Sequence, residues 1–229
     1  MTDYKKKTVL SSELFDLEDD GISYIRPLIE KSEFPWEILS LIKSYINKLI
    51  ENGIPGFREI ADGVLVGEGV SIHPSAVIIP PVIIGPGTEI RPGAYLRGAV
   101  ITGPDCVIGN SCELKNCILL RHVQVPHYNY VGDSVLGNYA HMGAGSICSN
   151  LKSDGKNIVV HGDDDYMTGM RKIGGILGDH ADIGCPCVIN PGTVIGCRTT
   201  VYPLTSLRGV IPEDCIVKSM QNIIIRKDN

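Results

Sequence analysis

The sequence predicts an all-β fold, a parallel β-helix whose chain winds into stacked, flat-sided coils, with a short helical segment before it. Aliphatic residues recur at almost every sixth position, and from Val70 to Ile118 a small or β-branched residue lies four positions after each sixth-residue position. The sixth-residue positions are Val66, Ile72, Ile78, Ile84, Ile90, Leu96, Thr102, Ile108, Leu114 and Leu120. A period of six matches neither an α-helix nor a simple amphipathic strand. It fits a three-sided prism whose successive turns stack about 4.8 Å apart.

Two interruptions of this period predict loops that leave the prism. The phase breaks after Pro126 and resumes at Leu136, which indicates one excursion near residues 126–135. A longer polar stretch precedes the return of the phase at Leu177, and it indicates a second excursion near residues 149–173. Because functional residues are often found in loops that a rigid scaffold positions, we expect function at these two places.

Residues 1–58 have a different pattern and are predicted to form an N-terminal helical cap on a β-helix domain of residues 59–229. Apolar side chains recur at helical spacing between residues 35 and 52. They are Ile38, Leu41, Ile42, Ile46, Leu49 and Ile50. Pro35 suits the first turn of a helix, and Gly53 suits its end. We therefore expect one or two helices that cover the first coil or dock on the prism.

The composition favours a cytoplasmic protein with no nucleic-acid or membrane partner. The formal net charge is −5, and no long run of Lys or Arg is present. No stretch reaches the apolar length that spans a membrane, and the first residues lack the apolar core of a signal peptide. The eight cysteines lie within repeat units, where reduced thiols serve as small core residues. Cys185 and Cys187 have no second pair at zinc-finger spacing.

Two cations occupy the same position of adjacent coils. Arg97 follows Leu96, and Lys115 follows Leu114 one eighteen-residue turn later, so the winding stacks the two side chains about 5 Å apart. Like charges at that distance repel each other unless an anion lies between or above them. Three interpretations stay open: an anion-binding site, two solvated side chains that splay apart, or partial neutralisation by the neighbouring Glu113.

A histidine marks the first interruption. His127 lies in the run PHYNYVGD, beside Tyr128 and Tyr130, where a change of phase can open a cleft. The pKa range of a histidine suits a general base at neutral pH, although a lone histidine is more often structural. The residues alone leave both interpretations open.

Residues from about 89 to 156 resemble a known family. The motifs LR, VIGN, ELK, H-x-x-Y-x-G-D and MGAG, followed by Asn150, succeed one another without a gap. This pattern is similar to the acetyltransferase domain of bifunctional N-acetylglucosamine-1-phosphate uridylyltransferase/glucosamine-1-phosphate acetyltransferases and to their archaeal sugar-1-phosphate nucleotidylyltransferase relatives. The resemblance implies a left-handed hexapeptide-repeat prism, an exception to the usual right-handed crossover. It also implies a homotrimer with the thioester donor bound between subunits.

By this resemblance the chain is an acetyl-coenzyme A-dependent N-acetyltransferase that acts on an amino-sugar 1-phosphate and requires no metal. His127 takes the position of a general base that removes a proton from the amine during direct attack on the thioester. Asn150 accompanies it, and Ala144 offers a main-chain N–H near the thioester carbonyl. The positions implied to contact the sugar phosphate are Arg97, Lys115, Tyr130, His141 and Lys156, with Glu113 beside them.

Several alternatives remain at this point. His141 stands where the family usually has a sugar-binding asparagine, so another amino sugar or a nucleotide-linked amino sugar is an alternative acceptor. Nucleotidyl transfer is not expected, because residues 1–60 are short for a nucleotide-binding domain and hold no Gly-rich phosphate loop. A non-catalytic scaffold or regulatory subunit is another alternative. A gamma-class carbonic-anhydrase-like metal enzyme would use His122 and His127, and zinc would need a third imidazole near them.

Overall fold

The chain forms a left-handed parallel β-helix with a helical segment packed along one side, as seen in a computed structural model that describes residues 7–226. This confirms the fold class predicted from the sequence. The helical elements are the α-helices Ser11–Leu14, Arg26–Ile29 and Ile42–Asn52 and the 3-10 helices Asp20–Ile22 and Glu37–Ser40. The helix expected over residues 35–52 is therefore divided into a 3-10 turn and a regular helix. The regular helix ends at Gly53, whose φ of 72° a glycine adopts without strain.

The prism has three faces, which we name the covered, polar and open faces. The covered face contains Val64–Gly67, Val82–Ile84, Val100–Thr102, Gly175–Leu177, Thr193–Ile195 and Val210–Ile211. The polar face contains Ser71–Ile72, Glu89–Ile90, Val107–Asn110, Gln124–His127, His141–Met142, Asp182–Ile183, Thr200–Val201 and Cys215–Ser219. The open face contains Val77–Ile78, Tyr95–Leu96, Ile147–Cys148, Val188–Ile189 and Ser206–Leu207.

Two longer strands join the open face to the covered face across their shared corner. They are Glu113–Leu119 and Tyr130–Leu136, and they pair in parallel along their whole length. Antiparallel strands close both ends of the stack: Phe57–Ala61 pairs with Val64–Gly67, and Asn222–Ile225 pairs with Cys215–Ser219. Pairing at the ends satisfies backbone groups that an open coil would expose.

The helical segment lies along the covered face and does not sit on the end of the first coil. The outward residues of this face are apolar and buried beneath it, for example Ile83, Ile118 and Val135. The hydroxyl of Tyr24 donates to the carbonyl of Thr102 at 2.7 Å, and the N–H of Asp16 donates to the carboxylate of Asp179 at 2.8 Å. The segment thus spans many coils, because burying the continuous apolar face stabilises the protein more than covering one coil end.

The change of phase begins earlier than the sequence indicated, and residues 126–135 form no excursion. Leu114 pairs with Leu96, eighteen residues away, whereas Cys117 pairs with Val100, seventeen residues away. The corner after Lys115 is one residue shorter than the corner after Arg97. Residues 126–135 stay in the coil, in the strands Gln124–His127 and Tyr130–Leu136 and in the two-residue corner between them.

The shorter corner also changes which leucine points inward. Leu119 aligns with Thr102 and lies inside the prism, while Leu120 lies in the apolar cluster of the helical segment. The sequence period had assigned Leu120 to the interior. Both side chains are buried, so the exchange leaves the core filled.

A long insertion follows the next coil at the same corner. Cys148 pairs with Ile189, 41 residues further along the chain, where a regular coil would need eighteen. The added residues include the hairpin of Val159–His161 and Asp165–Met167. Tyr166 of this hairpin packs against Trp36 with ring centroids 5.9 Å apart. We call residues 149–173 the insertion; it folds back onto the helical segment.

Candidate functional site

The two stacked cations lie on the open face, and each is paired with a carboxylate. The N–H of Arg97 donates to the carbonyl of Leu114 at 2.7 Å, which places Arg97 directly beside Lys115 on the next coil. Arg97 contacts Glu113 at 2.5 Å, and this hydrogen bond raises the pKa of Arg97. Lys115 contacts Asp133 at 3.0 Å. The winding therefore stacks the cations as expected, and carboxylates already supply much of the countercharge.

Asp133 is the buried centre of this cluster, and it was not among the residues predicted for the site. Its side chain is about 6% exposed. It accepts hydrogen bonds from Lys115, from Asn116 at 2.8 Å and from Asn150 at 2.5 Å. Three donors, one of them charged, offset the cost of burying a carboxylate. The motif H-x-x-Y-x-G-D contained the signal, because its last residue is Asp133.

Tyr130 connects the cluster to the rest of the open face. It lies directly beside Glu113 in the parallel register, and its phenol oxygen accepts a hydrogen bond from Asn150 at 3.2 Å. Burial, together with the negative charges of Asp133 and Glu113, raises the pKa of Tyr130. At neutral pH the phenol therefore keeps its proton and can donate it to a ligand oxygen on this face.

His127 lies at the opposite edge of the open face, where it meets the polar face. Its N–H donates to the side chain of Asn129 at 3.1 Å, and its carbonyl accepts from Gly145 at 3.0 Å. Asn129 is buried and donates to the carbonyls of Gly143 and Ser146. These bonds hold the backbone, while the imidazole is exposed and has no hydrogen bond to any residue in the range 7–226.

We call this corner the His127 edge. Gln124 pairs with His141, so Ala144 lies one coil from His127, and Met142 pairs with Ile183, so Cys185 lies one coil further. Ala144 is exposed, and its N–H donates to no acceptor within the described part of the chain. The edge therefore presents an imidazole and a main-chain donor on neighbouring coils, about 4.8 Å apart in the stacking direction.

Two other predicted residues lie outside the Asp133 cluster. His141 is on the polar face, where its imidazole contacts Asp182 at 2.8 Å. Lys156 is in the insertion, and it is exposed. Its N–H donates to the carboxylate of Asp154 at 3.1 Å, whereas its ammonium has no ion-pair partner among residues 7–226. The structure thus brings Arg97, Glu113, Lys115, Tyr130 and Asn150 together and leaves His141 and Lys156 apart from them.

His122 does not approach His127 as a metal-ligand partner. Its ring stacks on Tyr139 at 4.7 Å, and Tyr139 stacks on His180 at 4.8 Å. Asp105 lies 3.7 Å from the imidazole of His122. Across residues 7–226, no three His, Cys, Asp or Glu side chains are grouped to hold one metal ion. The spacing that suggested the carbonic-anhydrase alternative belongs to two different corners of the prism.

The fold and the motifs define a hexapeptide-repeat β-helix protein. Residues 78–167 match the family described as the GMPPB C-terminal domain. The chain is 32% identical, over its whole length, to a protein of Methanococcus maripaludis strain S2 named "Bifunctional protein GlmU", and covers 55% of that relative. It is 36% identical to the protein of that name from strain C7, over 99% of this chain and 54% of the relative.

The chain is also similar to a further relative and to a solved structure. The "Bifunctional sugar-1-phosphate nucleotidylyltransferase/acetyltransferase" of Sulfurisphaera tokodaii is 36% identical over 42% of this chain and 24% of the relative. The crystal structure of PerB from Caulobacter crescentus in complex with CoA and GDP-perosamine has 20% identity and a TM-score of 0.41 and covers 69% of this chain and 57% of that chain. The chain spans about half the length of the two Methanococcus relatives. The resemblance predicted from the motifs is confirmed by these relatives.

No helix among residues 7–226 combines the length and the apolar character needed to cross a bilayer.

Proposed function

We propose that this chain transfers an acetyl group from acetyl-coenzyme A to the amine of an amino-sugar 1-phosphate. The observation that carries the proposal is the arrangement across the open face. An unpaired imidazole lies at one edge, Tyr130 lies in the middle, and Arg97 and Lys115 stack toward the other edge. Such an arrangement binds a phosphate at one end of a small polar molecule and presents a base at the other. The name of the Sulfurisphaera tokodaii relative, which combines a sugar 1-phosphate with an acetyltransferase, supports acetyl transfer in the context of a sugar 1-phosphate.

The proposed reaction is direct attack of the amine on the thioester carbonyl. His127 takes a proton from the amine as the nitrogen–carbon bond forms, and the carbonyl oxygen gains negative charge. The N–H of Ala144, one coil away, donates to that oxygen. The carbon–sulfur bond then breaks, and the thiolate of coenzyme A takes the proton that His127 holds. The products are an N-acetylated sugar phosphate and free coenzyme A.

The acceptor phosphate is proposed to bind at Arg97 and Lys115. Both cations keep donors to spare, because a guanidinium has five N–H groups and an ammonium three. Glu113 and Asp133 orient these cations, and Asn150 joins Asp133 to Tyr130. His141 and Lys156 lie apart from this cluster within one chain, so we propose that they contact the sugar from a neighbouring copy. Donor and acceptor would then meet at the His127 edge.

We also propose that the protein is a homotrimer that packs through its open faces. The outward residues of this face include exposed apolar side chains on both sides of Glu113 and Tyr130, with Val77 and Tyr95 toward one end of the stack and Val188 toward the other. Exposed apolar surface of this kind indicates an interface. A copy packed there would enclose the acceptor and exclude water from the thioester. Sedimentation equilibrium tests this state, and a monomer at all concentrations would contradict it.

A thiol-release assay tests the proposed reaction. Acetyl-coenzyme A is mixed with glucosamine 1-phosphate, galactosamine 1-phosphate or unphosphorylated glucosamine, and free thiol is measured with a chromogenic disulfide. The exposed Cys185 reacts with the same reagent, so protein alone supplies the blank. With phosphorylated amino sugars we expect free coenzyme A to be released in proportion to the N-acetylated sugar phosphate that forms. Equal background rates with every acceptor would favour the non-catalytic scaffold. Bound zinc in the purified protein, found by metal analysis, together with no thiol release, would favour the metal enzyme.

A further inference from the structure

A glycine continues the column of the two stacked cations on the open face. Gly132 pairs with Lys115, and Lys115 lies directly beside Arg97, so the three residues occupy one outward position on successive coils. Side chains two positions apart in a strand point to the same face. The residues two positions before these three are Tyr95, Glu113 and Tyr130. At Gly132 the column therefore has room for a neighbouring side chain.

The ring of Tyr130 fills this room. A Cβ atom at Gly132 would lie 2.6 Å from Cζ of Tyr130 and 2.8 Å from its Cε1. Carbon atoms in contact lie about 3.5–4.0 Å apart, so any side chain at this position would displace the ring. Tyr95 has the same position as Tyr130 two coils earlier, but it is followed by Arg97 instead of a glycine, and it is 36% exposed. The missing side chain at Gly132 thus allows Tyr130 to lie along the strand.

Asp133 and Asn150 fix the direction of the phenol proton. An ionised carboxylate only accepts hydrogen bonds, so the amide of Asn150 turns its nitrogen toward Asp133. The same nitrogen donates to the phenol oxygen of Tyr130 at 3.2 Å. The hydroxyl proton of Tyr130 therefore points away from Asn150, and it meets no acceptor among residues 7–226.

The phenol and the ammonium of Lys115 are joined through one carboxylate oxygen. Oδ2 of Asp133 accepts from Lys115 at 3.0 Å and from Asn150 at 2.5 Å, and Asn150 holds the phenol. The guanidinium of Arg97 lies one coil away on the other side of Lys115. Three kinds of donor, a guanidinium, an ammonium and a hydroxyl, thus follow one another along the column, with Lys115 in the middle.

We propose that Gly132 is a positioning residue that places the phenol of Tyr130 as a third donor to the acceptor phosphate, beside Arg97 and Lys115. The inference rests on the proposed acetyl transfer, and it gives a role to a residue that touches no ligand itself. A phosphate monoester has three terminal oxygens that accept hydrogen bonds. A phosphate placed over Lys115 receives one donor from each of the three side chains.

Thiol-release kinetics of Gly132→Ala and Tyr130→Phe test this role. The first variant displaces the ring and the second deletes its hydroxyl, so both remove the same donor. In each, the KM for glucosamine 1-phosphate should rise roughly 10–100-fold, the effect of losing a hydrogen bond to a charged group, with kcat nearly unchanged. The KM for unphosphorylated glucosamine should change little. Tyr95→Phe deletes the hydroxyl of the equivalent tyrosine and should keep the KM of the unsubstituted protein.

The combined variant separates positioning from a structural role. Gly132→Ala acts through a hydroxyl that Tyr130→Phe already lacks, so the pair should have the KM of Tyr130→Phe alone. Two losses that multiply would overturn the proposal, and so would a crystal structure of Gly132→Ala whose ring is not displaced. Gly132 has no positive φ, so alanine fits the backbone. If Gly132→Ala fails to fold, adding Tyr130→Ala removes the ring that the methyl meets and should restore folding; continued failure would contradict the contact.

Calorimetric titration with glucosamine 1-phosphate distinguishes this inference from the proposed function. We expect Gly132→Ala and Tyr130→Phe to weaken binding by the same factor. Acetylation by the unsubstituted protein, with an unchanged KM in Gly132→Ala, overturns the positioning role and keeps the acetyl transfer. Binding that both substitutions weaken alike, without acetylation of any acceptor, supports the positioning role and overturns the proposed function.

Discussion

The covered face and the open face both point aliphatic residues into the prism, and they differ in the residues that point outward. On the covered face the outward residues are apolar on successive coils, and the helical segment buries them. On the open face, charged and phenolic residues replace the apolar ones on two central coils, at Glu113 and Tyr130. The repeat thus builds the scaffold, and the outward positions decide whether a face is packed or left available for a ligand.

The largest effect is expected from His127→Ala. Loss of a general base lowers turnover by roughly 10²–10⁴-fold. The imidazole has no hydrogen bond to any described residue, so the fold should be unaffected. Steady-state thiol release measures kcat, and circular dichroism checks the fold. His73→Ala removes another exposed histidine, which follows the polar-face strand Ser71–Ile72, and this variant should keep full activity. Equal activity of the two variants would remove His127 from the mechanism.

Arg97→Ala is expected to act on the acceptor and not on the chemical step. The variant loses the guanidinium that would donate hydrogen bonds to the acceptor phosphate. It also leaves Glu113 without its cation, so the freed carboxylate repels the phosphate. The KM for a phosphorylated amino sugar should rise roughly 10–100-fold. The KM for the unphosphorylated sugar should change little. Arg208 occupies the same outward column five coils further on, so Arg208→Ala is a matched control. An equal loss with both sugars would contradict the phosphate assignment.

A matched pair of valines compares the two faces directly. Val135 is 0% exposed under the helical segment, and Val188 is 39% exposed on the open face. Val135→Ala should cost about 2 kcal/mol of unfolding free energy, from lost burial plus a small cavity. Val188→Ala should cost less than about 0.5 kcal/mol at concentrations where the chain is monomeric. Where the proposed trimer forms, the cost should grow with protein concentration, because another copy then covers Val188. Urea denaturation at several protein concentrations measures these values, and a cost for Val188→Ala that stays small at every concentration would contradict packing through the open face.

The regular six-residue period made the coil predictable from the sequence. The prediction of which residues point inward failed where one corner is a residue shorter than the others. Leu119 and Leu120 are adjacent and equally apolar, so composition cannot tell which one points inward. Only the pairing of Leu119 with Thr102 decides it. The same shortening placed residues 126–135 within the coil, where the sequence had indicated a loop. A one-residue change of register exchanges the inward and outward sets, and no local propensity records it.

The candidate site was predictable where it follows the winding and unpredictable where it depends on packing. Arg97 and Lys115 stack because one coil separates them. Asp133 was missed because a carboxylate in a repeat is usually solvated, and its burial arises only when Asn116 and Asn150 converge on it. The sequence contains a signal for the docking of the helical segment. On one of the three faces the residue before each inward residue is also apolar, as in Leu65 before Val66 and Ile83 before Ile84.

The smallest expected effect is the protection of a cysteine near the His127 edge when a coenzyme A analogue binds. Seven of the eight cysteines are buried, and burial raises the pKa of Cys106 and of Cys148 to about 12, so these thiols are unreactive at neutral pH. Cys185 is exposed, one coil beyond Ala144. We expect a thioester donor whose carbonyl is at Ala144 to extend along this edge and cover the Cys185 thiol.

Alkylation of Cys185 reports that contact. Desulfo-coenzyme A, which has no thiol of its own, should slow the reaction with iodoacetamide about tenfold at ten times its Kd, because about one molecule in eleven is then free. Glucosamine 1-phosphate alone should give no protection, and Cys185→Ser should abolish the fast labelling. Mass spectrometry of the labelled peptide follows each rate. Equal rates with and without saturating desulfo-coenzyme A would place the donor on another part of the prism, and His127 would then lack a thioester within reach.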